Sequence, residues 1–136
     1  MLNLAIHAKD GTVPISRIAA QEEISPNYIE QLFLKLKEHG LVESIRGRSG
    51  GYKLSKPPKK ITVAEIITAV EGPIKAVSCA FNGNCKRYEI CTTKFLWEQL
   101  SRKINSLLED ITLQDLCEMG REKMSGDLGH KLIFNI

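Results

Sequence analysis

The chain has 136 residues, 43% of them apolar and 26% charged, with a formal net charge of +3. That is room for one modest core with one or two added elements, and it excludes two large domains. No apolar run approaches the roughly 20 residues that span a bilayer, and Met1 opens no charged-then-apolar leader, so a cytoplasmic location is expected. In such a reducing compartment four cysteines point to metal binding or redox sensing rather than to structural disulfides.

In chain order, Leu2, Leu4, Ala5, Ile6 and Ala8 suggest the tail of a helix, cut short at its start and broken near Gly11. After Pro14, Ile15, Ile18 and Ala19 share one face of a short helix that reaches Glu23. Ser25 then supplies an N-cap and Pro26 a first helical residue whose missing N–H costs nothing. From Pro26 to His39 the positions Ile29, Leu32, Phe33 and Leu36 recur at helical spacing, and Gly40 closes the helix. Residues 41–45 and 52–54 read as two strands joined by the glycine-containing turn Arg46 to Gly51, with Pro57-Pro58 ending the unit.

Thr62-Val63-Ala64-Glu65 has the form of a capping box for a helix that Gly72-Pro73 stops. A cysteine-bearing loop follows. A long helix is predicted from about Thr93 to Asp110, with Leu96, Leu100, Ile104, Leu107 and Ile111 on one stripe. So long a helix at the edge of so small a domain has little to pack on in its own chain, which favours dimerisation. Thr112 and Asp115 can cap one further short helix, and the tail from Gly120 carries little pattern and is expected to be loosely held.

The charge is uneven. Residues 1–60 hold ten basic against six acidic side chains, whereas 61–136 hold nine against ten. Within 41–60 the basic groups are Arg46, Arg48, Lys53, Lys56, Lys59 and Lys60, against Glu43 alone. Two arginines flanking a glycine turn, just after a helix-turn-helix, suit a wing that approaches phosphates. In a reading helix the N-terminal side chains meet base edges, which points to Asn27, Tyr28, Glu30 and Gln31. Asn and Gln pair with adenine, and Glu accepts from the cytosine amino group, so Glu30 is a candidate for specificity.

Cys79, Cys85 and Cys91 recur every six residues. Six residues of helix rotate roughly 600°, leaving successive thiols about 120° off a common face, so they converge only from a loop, for which Asn82-Gly83-Asn84 provides the turn. Three soft donors suit an iron–sulfur cluster or zinc, either with a fourth ligand, or redox-active thiols with no metal. No Ser/His/Asp set, phosphate loop or pair of acids stands at a useful spacing, so an enzyme is not expected.

Taken together, Ile24-Ser25, Tyr28-Ile29-Glu30-Gln31-Leu32, Gly40-Leu41-Val42, Arg46-Gly47 with Gly50-Gly51-Tyr52, Glu71-Gly72, the three cysteines, Trp97 and Ile111-Thr112-Leu113 resemble the IscR-type family of winged-helix regulators, which has NsrR-like and CymR-like members. The resemblance implies DNA contacts from Ser25, Asn27, Tyr28, Glu30, Gln31, Arg46, Arg48, Gly50, Gly51 and Tyr52. It also implies a homodimer crossing through the long helix, palindromic double-stranded DNA, and a [2Fe–2S] centre on the three loop cysteines. It departs at Lys94, where IscR-like members carry a ligating histidine, because an ammonium cannot ligate. Cys117, a residue of the other subunit, a residue in the N-terminal stretch of about a dozen residues that family members carry before the position of Met1, or solvent stand as alternatives for the fourth position.

The expected fold is mostly α with a small β-hairpin wing: a winged helix-turn-helix over 1–72, a cysteine-bearing sensor loop over 73–92, a dimerisation helix and a short following helix over 93–119, and a tail over 120–136. The expected function is a DNA-binding transcriptional regulator under iron–sulfur control. Its rivals are a redox or nitric-oxide sensor using the same thiols without a cluster, and an iron–sulfur carrier or electron-transfer protein in which the helix-turn-helix is only scaffold.

Overall fold

A computed structural model describes residues 1–80 and 85–124. Helix α1 (Leu2–Ile6) gives way to a 3-10 turn at Ala8–Asp10, and Gly11 breaks it with φ 93°. Helix α2 (Ile15–Glu22) buries Ile18 and Ala19 and ends one residue before its predicted limit, because Glu23 adopts a left-handed conformation with φ 54°. Helix α3 (Pro26–Glu38) starts where Ser25 and Pro26 predict, the Ser25 hydroxyl accepting from the Tyr28 amide at 3.3 Å. Its apolar residues Ile29, Phe33 and Leu36 are buried at helical spacing, so the opposite face is left to solvent.

Strands β1 (Val42–Ile45) and β2 (Gly51–Leu54) form an antiparallel hairpin in the register Val42 to Leu54, Glu43 to Lys53, Ser44 to Tyr52 and Ile45 to Gly51. Val13 adds a third position to this sheet by exchanging backbone hydrogen bonds with Tyr52 at 2.8 and 2.9 Å. The Tyr52 ring meets Phe33 edge-on, with centroids 4.7 Å apart, so the hairpin rests on α3.

Helix α4 (Val63–Glu71) is opened by the reciprocal Thr62–Glu65 capping box and closed at Gly72, φ 85°. The predicted Asn82-Gly83-Asn84 turn lies outside the described residues. Helix α5 (Lys94–Asp110) and helix α6 (Leu113–Met124) complete the described residues. The last helix runs past Gly120, where the sequence pattern ended it: Arg121, Glu122 and Lys123 are good helix formers, and their propensity carries the helix through the weak glycine. The rest of the predicted tail, 125–136, lies outside the described residues.

The core gathers Leu4, Val13, Ile18, Ile29, Phe33, Leu36, Leu41, Val42, Ile61 and Leu113, so every α-helix and strand described except α5 contributes to one apolar centre or abuts it. Helix α6 packs on α1 and on the 3-10 turn at Pro58–Lys60. Helix α5 packs chiefly on α4, and Ser101 is its buried residue.

Candidate nucleic-acid interface and cysteine segment

Burial of Ile29, Phe33 and Leu36 turns Asn27, Tyr28, Glu30 and Gln31 outward, and all four are exposed. Asn27, Glu30, Gln31 and Leu34 follow i, i+3, i+4, i+7 spacing and therefore share a face. Leu34, which the apolar pattern of Ile29, Leu32, Phe33 and Leu36 does not include, is exposed on this face. Ser25 is exposed too, but its hydroxyl is engaged as the helix cap.

On the wing, Arg46 and Arg48 are exposed at the hairpin tip. The neighbouring glycines shape that tip. A Cβ built on Gly50 would lie 2.5 Å from the Ile45 carbonyl oxygen, and one on Gly51 would lie 2.5 Å from that of Val13. Tyr52 is half-buried against Phe33, so its ring serves first as packing. The Thr12 hydroxyl donates to the Ser49 carbonyl at 2.6 Å, a second tie between the wing and the loop before α2. Neither tie was legible in the sequence, since a backbone pairing at one residue leaves no alternation to read. Lys53 meets Glu43 at 3.4 Å across the hairpin, and Lys56 meets Glu65 at 3.1 Å, so two of the wing's six cations have an acidic partner.

The cysteines are all free thiols: Cys79 is exposed, Cys85 and Cys91 are half-exposed, and Cys117 is buried. Cys79 lies in a 3-10 turn at Ser78–Ala80, and Cys91 follows another at Tyr88–Ile90. Hydrogen bonding from Thr93, side chain before backbone, holds the Cys91 thiol below its ordinary pKa. Lys94 lies over the Tyr88 ring, 3.5 Å from its centroid, and contact with Tyr88, helped by Glu98 and Glu89, raises its ammonium. Burial pushes the Cys117 thiol up, and α6 carries it among residues of the core side rather than in the cysteine segment. Among the described residues no three His, Cys, Asp or Glu side chains converge as a metal site. The donor set of Cys79, Cys85 and Cys91 nevertheless fits soft iron or zinc in kind, with three accessible thiols in one segment and a fourth donor still to be supplied.

Beside this segment, two polar residues of α5 that the apolar stripe concealed hold the backbone. Ser101 Oγ accepts from the Ala76 amide at 2.9 Å and donates to the Trp97 carbonyl, while Asn105 Nδ2 donates to the Ile74 carbonyl at 3.1 Å. Their i, i+4 spacing on the face opposite Leu100 and Leu107 was the available signal. The stripe itself is largely uncovered: Leu96 is 57% exposed, Leu100 41% and Leu107 45%, with Phe95 beside them at 66%.

Two helices joined by a tight turn and followed at once by a basic hairpin define a winged helix-turn-helix protein, a DNA-binding transcriptional regulator rather than an enzyme. The chain belongs to the Rrf2 family, iron-dependent transcriptional regulators, whose match spans residues 1–119. It is 43% identical over 116 residues to the HTH-type transcriptional regulator IscR of Yersinia enterocolitica, covering 85% of this chain and 71% of that protein. Among solved structures it resembles CymR (YrzC), the global cysteine regulator of B. subtilis, with a TM-score of 0.71 and 33% identity over 87% of each chain. It also resembles T. potens IscR, with a TM-score of 0.70 and 32% identity over 96% of this chain and 84% of that one. The expected IscR-type resemblance and the winged fold are thus borne out. No helix among the described residues is long and apolar enough to cross a membrane.

Proposed function

We propose that this regulator binds palindromic double-stranded DNA as a homodimer and that Cys79, Cys85 and Cys91 hold a [2Fe–2S] cluster whose presence changes DNA affinity. The observation that carries the control element is the presence of three free, accessible thiols in one segment immediately before the uncovered helix α5. In the DNA-bound form α3 lies in the major groove. Asn27, Glu30 and Gln31 then meet base edges, Tyr28 and Ser25 flank them, and Arg46 and Arg48 approach the backbone or the adjacent groove. Gly50, Gly51 and Tyr52 support that contact by shaping the tip. The stripe Leu96, Leu100, Leu107 of one protomer covers that of the other, removing apolar surface from water.

When bound, a cluster supplies sensitivity to iron supply and to oxidants through thiolate–iron bonds that form or are lost. The chain's own contribution is the donor set and its placement: Lys94 cannot ligate, so the fourth donor comes from elsewhere, and buried Cys117 is the weaker candidate. A second reading, direct redox sensing by the thiols, is favoured by the depressed Cys91 thiol and by the lack of a converged donor group among the described residues.

The test is an ultraviolet–visible spectrum of anaerobically purified protein with iron and sulfide analysis, and DNA binding before and after bleaching. A sulfide-containing chromophore whose loss changes affinity supports cluster control. A colourless, metal-free protein that binds DNA differently once its thiols are oxidised supports the second reading, and a colourless zinc protein overturns both.

A further inference from the structure

Residues 70–76 join the end of α4 to the cysteine segment, and side chains from two helices grip their backbone. From α3, Lys35 Nζ donates to the Val70 carbonyl at 2.9 Å, one of the carbonyls that the end of α4 leaves without a helical partner. From α5, Asn105 holds the Ile74 carbonyl and Ser101 takes the Ala76 amide. Ser101 is 2% exposed, the buried polar residue among the described ones, and both lone pair and proton of its hydroxyl are used. Asn105 spans from the strap to the Ser101 carbonyl at 2.9 Å, so the two side chains form one clamp.

The clamp matters because of how the helices are joined. Helix α3 packs on α4 and α4 packs on α5, and no principal packing pair among the described residues joins α3 to α5 directly. The angle between the reading helix and α5 is therefore set by α4, by the strap at its end and by the bond from the Val63 amide to the Ile111 carbonyl at its start. We infer that Ser101 and Asn105 are positioning residues that fix the reading helix relative to α5, with Lys35 carrying the constraint into α3. This rests on the proposed dimerisation through α5, for only then does the angle set the distance between two reading helices and hence the spacing of half-sites. Cys79 lies three residues beyond Ala76, so the strap runs directly into the cysteine segment.

The experiment uses the full chain and duplexes selected from a random pool by the unaltered protein, each remade with one base pair added to or removed from the centre. Ser101→Ala is expected to speed exchange of the Ala76 amide about tenfold or more, since a half-buried donor loses its acceptor. The preference for the selected spacing should fall by a similar factor while the salt dependence of binding is kept, because no phosphate contact is touched. Ser101→Thr, which keeps the hydroxyl, should restore the preference. Should Ser101→Ala fail to fold, Asn105→Ala and Lys35→Met each remove one other hold and carry the same expectation for spacing. An unchanged spacing preference in variants whose strap amides exchange freely overturns the inference while leaving the dimer intact. An unaltered protein that sediments as a monomer, with no spacing preference of its own, overturns the dimer reading and the inference with it.

Discussion

Thr62 and Thr112 pair across an isolated antiparallel bridge, and each one's hydroxyl accepts from the amide three residues later, at 3.1 Å in both cases. Their backbones are tied by Val63 N–H to the Ile111 carbonyl and Leu113 N–H to the Ile61 carbonyl, both 2.8 Å. Two helices separated by some fifty residues of chain thus begin at one shared point, between the fully buried Ile61 and Leu113. Thr62→Ala should cost about 1 kcal/mol, and Thr112→Ala about the same. The double variant should depart from additivity, because each cap holds the backbone the other leans on. Urea unfolding of the four proteins measures this; strict additivity would separate the caps.

The same caps have a pH signature. Hydrogen bonds to Thr62, its backbone first, hold the Glu65 carboxyl below its ordinary range, and hydrogen bonds to Thr112, its side chain first, do so for Asp115. A carboxyl depressed in the folded state stabilises the protein fully above its unfolded pKa of about 4. That contribution is lost as pH falls from there through the lower folded value. Unfolding free energy should therefore drop on acidification below about pH 5, and Glu65→Gln with Asp115→Asn should flatten part of that drop. An identical pH profile in the double variant would remove the caps from the acid response.

Gly51→Ala should destabilise the wing by about 1–3 kcal/mol, because the new methyl meets the Val13 carbonyl and one backbone must move. Thermal unfolding reads the loss, and DNA affinity should fall with it. Full stability would mean that the β2–Val13 pairing yields easily.

Replacing Arg48 by Ala should weaken binding to all duplexes alike and lower the salt slope by about one. Glu30→Ala should instead flatten base preference while leaving the salt slope alone. Competition between selected and random duplexes at several salt concentrations distinguishes the two, and the reverse pattern would exchange their roles.

Leu100→Glu should convert a dimer to monomers in sedimentation with little loss of fold, since Leu100 faces solvent within one chain. A dimer that survives this change and Leu107→Glu would place the interface elsewhere. In the cysteine segment, Cys85→Ala should abolish iron content if the loop holds the cluster, and full iron retention would sink that assignment.

Local chemistry made much of this fold legible. Ser25-Pro26, the Thr62 box and the glycines at 11, 40 and 72 announce element ends because caps and positive φ act within a few residues. The outward face of α3 followed from the inward one. What stayed hidden depends on contacts distant in sequence: the Val13–Tyr52 pairing, the Thr12–Ser49 tie and the Ser101–Asn105 clamp join segments between 25 and 39 residues apart. The thiols were legible as donors, whereas convergence in space is a property of the loop's path rather than of its spacing.

The attachment of the wing by backbone atoms also bears on how such a regulator diversifies. Val13 and Tyr52 are joined through amides and carbonyls, and Thr12 grips the carbonyl of Ser49 rather than its side chain. The side chains at 46, 48 and 49 carry none of that anchorage. A lineage can therefore exchange them, and with them the charge that the wing presents, while the platform that carries them keeps its shape.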